Sequence, residues 1–356
     1  MDVFRLLLIV LILVIFIYVM SRLLVKRRQI LAMKIVEGAT TVAQEEVKTM
    51  KSKYSPTTSI KSISSERSGM DLAQYCMKGS YNSAYSGSLV SGDAIKFVLS
   101  RGYRVLDLEI ADDSENGLVV VYSKGGETIG RNKATLSSIL NAITTNAFLD
   151  TNTPNAQDPL FIHLRVQPSN GVYNKMATLL NEYVTVERRY LNTNGSAKTV
   201  NGSTSLNDVK GKMILVMDTI LNSSWSSESP DLANYINAQT GGSSWKIYNY
   251  GDLENRKTNP PTITDNAKKT DLTNIGMIKP DNLELYPCPI ITSIIPDYGI
   301  QIVMVRAYVK DDGMIMSEDL FDTFKAGIVP MAYAIQYLND KQQDLKTKKI
   351  DYSLLK

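Results

Sequence analysis

The sequence predicts an α/β domain with parallel strands, sized for a single barrel and carried behind an apolar amino-terminal anchor. Three observations predict it. A long uncharged run opens the chain, short β-like runs alternate with helix-like stretches after Gly69, and the length of 356 residues suits one barrel of about 250 residues with appendages. With 44% hydrophobic residues the chain can bury a substantial core. Its 39 basic and 36 acidic side chains leave a net charge of only +3, which argues against a protein that coats nucleic acid through a basic surface.

From Leu6 to Met20 every residue is apolar or aromatic. With Leu23, Leu24 and Val25 the stretch reaches the roughly 20 residues that a helix needs to cross the hydrocarbon layer, so residues 4–25 are expected to form a transmembrane helix. A cleaved signal peptide fits less well, because the run is long and no small-x-small site follows it. Arg22, Lys26, Arg27 and Arg28 flank its carboxyl side against Arg5 alone on the other, which places the body on the cytosolic side. Lys26, Arg27 and Arg28 are expected to meet anionic lipid heads at the membrane surface. Asn194, Asn201 and Asn222 head N-x-Ser triplets, but they lie in Asn/Ser/Thr-rich stretches where such triplets arise by chance. Cys76 and Cys288 have neither metal-ligand nor redox spacing and are expected to be free thiols. The many Asn, Ile, Lys and Tyr residues suit an AT-rich genome, and a large DNA virus with an internal membrane is one expected source, the membrane then being that of a virion.

Residues 26–69 read as a juxtamembrane stalk and linker. The first part has loosely helical apolar spacing, and 51–69, rich in Ser, Thr and Lys, reads as a flexible tether. Strands are expected at Tyr75 to Lys78, Val105 to Ile110, Leu118 to Tyr122, Leu160 to Val166, Met213 to Met217, Trp245 to Tyr248 and Gln301 to Tyr308. Helices are expected at Ser91 to Ser100, with Ser91 or Asp93 as cap, and at Thr135 to Ala147, Tyr173 to Tyr183, Pro230 to Gln239 and Ser317 to Phe324. Residues 192–208 and 251–282 read as exposed loops, Gly125-Gly126 and Gly241-Gly242 as turns. The aromatics Trp245, Tyr248 and Tyr250 suit core packing better than a ligand-stacking surface.

The run from Cys76 to Gly87, with Ser80-Tyr81-Asn82-Ser83-Ala84-Tyr85 at its centre, resembles the Ser-His-Asn-Thr-Tyr opening of the X region of phosphoinositide-specific phospholipases C. Five further landmarks follow in that family's order. They are Leu99-Ser100-Arg101-Gly102-Tyr103-Arg104 leading to Asp107-Leu108-Glu109, then Val119 to Tyr122, Thr135-Leu136, Pro159 to Leu164, and the Lys210-Gly211-Lys212 strand entry. A weaker echo of the second, Y region lies at Tyr286-Pro287 and Gly299 to Val303, without that family's inositol-recognition stretch between Cys288 and Tyr298. The resemblance implies an irregular TIM-type barrel over 70–340, with an X-like part at 70–218, a variable linker at 219–282, a Y-like part at 283–335, and a tail at 341–356. The site is then expected at the carboxyl ends of the strands.

In that family two histidines exchange protons with the substrate, and a calcium ion held by Asn and acidic side chains carries the charge. Matched position by position, Tyr81 stands for the first histidine, beside a kept Asn82, and Ser123 for the second. Neither a phenol nor a hydroxyl exchanges protons efficiently at neutral pH. Asp107 and Glu109 keep an acidic pair on one strand face, while the third acidic ligand aligns with Arg165. Arg165 is therefore expected to pair with Asp107 or Glu109 and exclude calcium, which would bind only if the vestigial set Asn82, Asp107 and Glu109 still worked. His163, the sole histidine, shares the strand face of Arg165 and is expected as a partly buried residue of the barrel mouth, its other reading being a substitute acid or base. The expected function is that of a membrane-anchored, catalytically inactive phospholipase-C-like binding or scaffold protein. Asn82, Asp107, Glu109 and Arg165 would face a phosphorylated ligand, or the body would hold a protein partner. The alternative is an active phosphodiesterase with unusual residues, and a third possibility is an unrelated α/β structural protein.

Overall fold

The computed structural model describes residues 20, 41–55, 58–242, 244–254 and 274–353. The apolar stretch 4–25, apart from Met20, and Lys26, Arg27 and Arg28 lie outside the described residues, as does 255–273 of the expected loop. No helix among the described residues is long and apolar enough to cross a membrane. The chain divides into two units, Met1–Glu46 and Val47–Lys356. In the first, residues 41–46 are helical; the second is built on a barrel.

Eight parallel strands close that barrel: β1 (Tyr75–Ser80), β2 (Val105–Asp113), β3 (Leu160–Val166), β4 (Met213–Asp218), β5 (Ile236–Thr240), β6 (Trp245–Asn249), β7 (Ile275–Lys279) and β8 (Ile302–Val305). Each pairs in parallel with the next, and β1 pairs with both β2 and β8, so no barrel edge is left open. Gly117–Val121 runs back antiparallel to β2, and Ile328–Pro330 lies antiparallel to β1.

Alternation along the strands separates two cores. Outward residues such as Leu106, Leu108, Ile162 and Leu164 pack against the helices, including Gly92–Ser100, Leu136–Asn146 and Val172–Tyr183. Inward residues Tyr75, Met77, Val105, Phe161, Val216, Trp245, Met277, Ile302 and Met304 fill the barrel. Gly79 belongs to this inner set because a Cβ there would lie 2.7 Å from Met304 Sδ. Continuing the inward parity toward the carboxyl ends gives Asp107, Glu109, His163, Arg165, Asp218, Thr240, Lys279 and Arg306, all buried. The barrel is thus apolar from its base to its middle and polar at its mouth.

Several sequence expectations need correction. Of the helix expected at Pro230 to Gln239, only Pro230–Ala233 is helical; after a turn at Asn234 and Tyr235 the chain enters β5, held by Asn237 Nδ2, which donates to Tyr190 O and Lys198 O. Strand β7 lies in the stretch read as an exposed loop. Helices Ile291–Tyr298 and Met331–Ser353 were not anticipated, and the second continues through much of the expected tail. The expected tether is docked. Tyr54 Oη donates to Ala307 O at 2.8 Å, Lys61 N to Lys325 O at 2.9 Å, and Ile63 N to Asp158 Oδ1 at 2.9 Å, while Ile60 and Ile63 are buried. Two apolar side chains among Ser and Lys are too sparse to show periodicity, yet each finds a core site. Ser91 caps the helix Gly92–Ser100 through Ala94 N, and both cysteines are free and buried.

Candidate functional site

At the barrel mouth the parallel register of β2 and β3 sets Asp107 beside His163 and Glu109 beside Arg165. Asn82 lies just beyond β1, in the left-handed region with φ 45°, a conformation Asn tolerates better than most residues. This turn is pinned to β2, since Asn82 N donates to Asp107 Oδ2 at 2.9 Å and Ser83 Oγ accepts from Asp107 N at 2.9 Å.

Arg165 is the centre of the site. Its Nε donates to Asp107 Oδ1 at 3.0 Å, its Nη2 to Asp107 Oδ2 at 2.9 Å and to Asn82 Oδ1 at 2.6 Å, and its Nη1 to Glu109 Oε2 at 3.1 Å. The guanidinium lies 4.7 Å from the centre of the Tyr81 ring, a cation–π contact. Arginine's planar fork of donors matches two carboxylates and an amide oxygen at once, which a compact ammonium does not. Burial alone would raise the Asp107 carboxyl, but Arg165 and the hydrogen bond from His163 outweigh it and hold it well below the usual carboxylate range. Burial likewise works against the charge on Arg165, but Asp107, Tyr81 and Glu109 keep the guanidinium firmly protonated.

The sequence reading separates Tyr81, Asn82, Asp107, Ser123, His163 and Arg165 by up to 84 positions, and the structure brings them together. Tyr81 is buried, and that burial raises its phenol above the ordinary value. Ser123 sits at the rim, where its Oγ and Glu109 Oε1 both accept from Gln167 Nε2, at 3.3 and 2.8 Å. His163 is not partly buried as expected but 0% exposed. Its Nδ1 meets Asp107 Oδ1 at 2.8 Å, and its Nε2 faces Thr240 Oγ1 at 3.3 Å and Asp218 Oδ2 at 3.7 Å. Every polar atom of the ring is engaged within the protein, beneath Arg165.

Sequence reasoning missed Gln167, Asp218, Thr240, Lys279, Glu284 and Arg306. Lys279 ends β7; burial first, then the nearby Arg165, lower its ammonium, with Asp218, Asp107 and Glu109 opposing. Glu284 belongs to a strap across the mouth. It accepts from Tyr308 Oη at 3.2 Å and Arg306 Nη1 at 3.4 Å, and Gly125 N donates to the neighbouring Asn282 O. Beside the strap Tyr85 and Tyr122 stack at 3.9 Å, with Tyr308 edge-on to Tyr85 at 4.8 Å. Asp218 carried a signal, since a polar residue that follows an apolar strand marks the mouth of a barrel; Glu284 carried none.

The oxygens of Asn82, Asp107 and Glu109 are the set that would hold calcium, yet all three face one guanidinium at hydrogen-bond distance. Calcium takes six to eight oxygens at about 2.3–2.6 Å and cannot share that position with a fixed positive charge. Among the described residues no group of three or more His, Cys, Asp or Glu is placed to hold a metal ion. The remaining void beside Asn82, Asp107 and Glu109 is about 150 Å³ and has no space wide enough for a water molecule.

A closed eight-stranded parallel barrel with charged residues at the carboxyl ends of its strands is a TIM-type barrel, of the fold found in phospholipases C. Residues 70–218 match the family model for the phosphatidylinositol-specific phospholipase C, X domain. Among solved structures, PLC21 of L. pealei is similar at 14% identity with a TM-score of 0.57, covering 74% of this chain and 37% of that one. PLC21 of S. officinalis is similar at 14% identity and a TM-score of 0.55, covering 75% of this chain and 38% of that one. The chain thus spans well under half the length of these two proteins, and the likeness is one of fold. No curated protein matches the chain by sequence.

Proposed function

We propose that this protein is a catalytically inactive phospholipase-C-like barrel, held at a membrane by residues 4–25, that serves as a binding or scaffold module. The observation that carries the reading is the seating of Arg165 among Asn82, Asp107 and Glu109. Cleaving a phosphodiester through an internal hydroxyl needs a base, an acid and positive charge that reaches the phosphoryl oxygens. Arg165 supplies charge, but four hydrogen bonds and the Tyr81 ring already consume it. General acid–base catalysis contributes about 10²–10⁴-fold per proton transfer, so losing both transfers removes enough rate to reduce an enzyme to background. Tyr81 stays neutral at physiological pH because burial raises it, and His163 has no open face. Asn82, Asp107, Glu109 and Arg165 are the residues we assign to contact a phosphorylated ligand once the strap at Glu284 moves; a protein partner is the other role this reading allows. The apolar run and Lys26, Arg27 and Arg28 support an anchor with the body on the cytosolic side and contacts to anionic lipid.

The test is phosphatidylinositol hydrolysis by the full-length chain in mixed vesicles, with calcium and with chelator. The expected result is no turnover above the blank in either, and none lost on His163→Ala. Turnover at about 1 s⁻¹ or faster, in the range of ordinary enzymes, would sink the reading and favour an active phosphodiesterase instead. Vesicle flotation that survives alkaline carbonate checks the anchor; release into the supernatant would remove it.

A further inference from the structure

Away from the barrel mouth, an open groove of about 630 Å³ runs between helix Val172–Tyr183, the loop 189–196 and the short helix Pro230–Ala233. That volume lies within the roughly 300–1,000 Å³ of small-ligand sites. The groove sits on the outer wall toward the amino-terminal end of the barrel. Arg189 bridges to Met213 at the start of β4, and Asn234 lies two residues before β5, whereas Arg165 lies at the opposite, carboxyl end of β3.

Its lining has a particular chemistry. Four amides, Asn174, Asn181, Asn194 and Asn234, border it, and among the described residues none of their Nδ2 groups finds an acceptor. Two are oriented by partners that take only the oxygen. Tyr235 Oη donates to Asn181 Oδ1 at 2.8 Å, and Ser196 N and Oγ donate to Asn194 Oδ1 at 3.0 and 2.7 Å, so the NH₂ of each is left as a fixed donor. Arg189 lies 4.3 Å over the Tyr235 ring and donates from Nη2 to Asn234 O at 2.9 Å, while its buried Nε has no partner. Asp231 brings a carboxylate whose oxygens accept no hydrogen bond among the described residues.

One cation, already stacked, faces one anion, so the groove has no excess charge to hold a phosphate. Apolar surface is limited to Ala177 and the Tyr235 ring, too little to seat a hydrophobic peptide or an acyl chain. What the lining complements is a ligand whose groups each donate and accept, with adjacent oxygens spaced to meet an amide NH₂ and a carboxylate together. We propose that this groove is a binding site for a neutral polyhydroxylated ligand of the oligosaccharide class. Asp231 accepts from its hydroxyls, Asn181 and Asn194 donate to them, and Tyr235 and Ala177 support a sugar face. The proposal is independent of whether the barrel mouth is active.

The test is calorimetric titration of the full-length chain, in a detergent without a sugar headgroup, with maltotriose, mannotriose and chitotriose, and with inositol hexakisphosphate as the charged comparison. At least one neutral trisaccharide is expected to bind saturably with a Kd of about 5 mM or tighter, a range open to shallow polar sites. Asp231→Ala and Asn181→Ala, both at exposed positions, are each expected to weaken it by about tenfold or more, with Asp231→Asn losing less. Failure of all three sugars to saturate by about 20 mM overturns the proposal, as does binding that survives both alanine substitutions. Binding of the hexakisphosphate alone, abolished by Arg189→Ala, overturns it too and marks an anion site.

Discussion

Replacing Arg165 by alanine tests the electrostatic design of the barrel mouth most directly. The substitution removes a buried guanidinium that is 8% exposed and hydrogen-bonds to two carboxylates and one amide, leaving Asp107 and Glu109 without their hydrogen-bonded counter-charge and with Lys279 as the nearby cation. Breaking a buried pair from one side costs about 3–5 kcal/mol, because the stranded charge keeps its desolvation penalty. In a unit of this size about 2 °C of melting temperature goes with each kcal/mol, so Arg165→Ala is expected to melt about 6–10 °C below the parent. The pH dependence follows from Asp107. Its folded value is depressed, so in the parent it contributes stability above the ordinary carboxylate value that is lost as pH falls through the folded value. Without Arg165 burial dominates and the sign reverses, so the variant should gain stability on acidification from neutrality, where the parent does not gain from this group. Alanine also opens the oxygen set to a cation. Calcium at a hundred times its Kd adds about 2.7 kcal/mol, which should return about 5 °C to the variant and nothing to the parent. Melting followed by circular dichroism, with 10 mM calcium or chelator, reads all three effects. A parent stabilised by calcium as much as the variant, or a variant melting within about 1 °C of the parent, would refute the reasoning.

Three further predictions concern the frame around the site. Burial pushes Asp158 up to about 6, against Arg104 and the Ile63 N–H, and its Oδ2 has no partner. A raised carboxyl makes the fold lose stability as pH rises through the window from about 4 to about 6, here by about 3 kcal/mol, so Asp158→Asn should be more stable than the parent at pH 7 and equal to it near pH 4 in denaturant titrations. Gly313 opens the helix Asp312–Phe324 where a Cβ would strike the Cys288 carbonyl, so Gly313→Ala should cost about 1–3 kcal/mol in urea unfolding. Glu318 joins buried Lys78 at 2.7 Å, Arg101 at 2.6 Å and Tyr103 Oη at 2.9 Å; Glu318→Ala should cost about 3–5 kcal/mol, and adding Lys78→Met should recover part of it in a double-mutant cycle.

Much of this arrangement could be read from alternation. Residues two apart on one strand share a face, which was enough to group Asp107 with Glu109 and His163 with Arg165, and the strand Leu160 to Val166 agrees at both ends because an apolar run is bounded there by Pro159 and Gln167. Strand β5 was hidden because its inward and outward positions alternate among Ile, Asn, Ala, Gln and Thr, so polar residues satisfied by hydrogen bonds mask the apolar signal. Strand β7 was hidden for a related reason, being five residues long with Gly276 inside it and Lys279 at its end. Thr240 and Lys279 were lost to the site along with these strands. Glu284 is reached only through tertiary structure, since it lies on a connection whose path depends on Asp281, Asn282 and Gly125.

If the barrel is inactive as proposed, these contacts also decide what it would take to make it cut. Placing histidine at Tyr81 and Ser123 would supply proton donors and acceptors, but not a calcium ion on the phosphoryl oxygens, because Arg165 holds the oxygen cluster. The strap is a second, separate obstacle. Glu284 sits in the left-handed region at φ 47°, which costs about 1–2 kcal/mol for a residue with a Cβ, and its contacts to Tyr308 and Arg306 must exceed that cost for the strap to stay down. Tyr81→His with Ser123→His is therefore expected to show no phosphatidylinositol hydrolysis, and adding Arg165→Glu should restore calcium binding before it restores any turnover. Only when Glu284→Ala, which removes those contacts and keeps the backbone cost, also releases the strap do acid, base, cation and access coincide. Turnover in the histidine pair alone would mean that the guanidinium and the strap yield to substrate, and that the mouth is far softer than its hydrogen bonds imply.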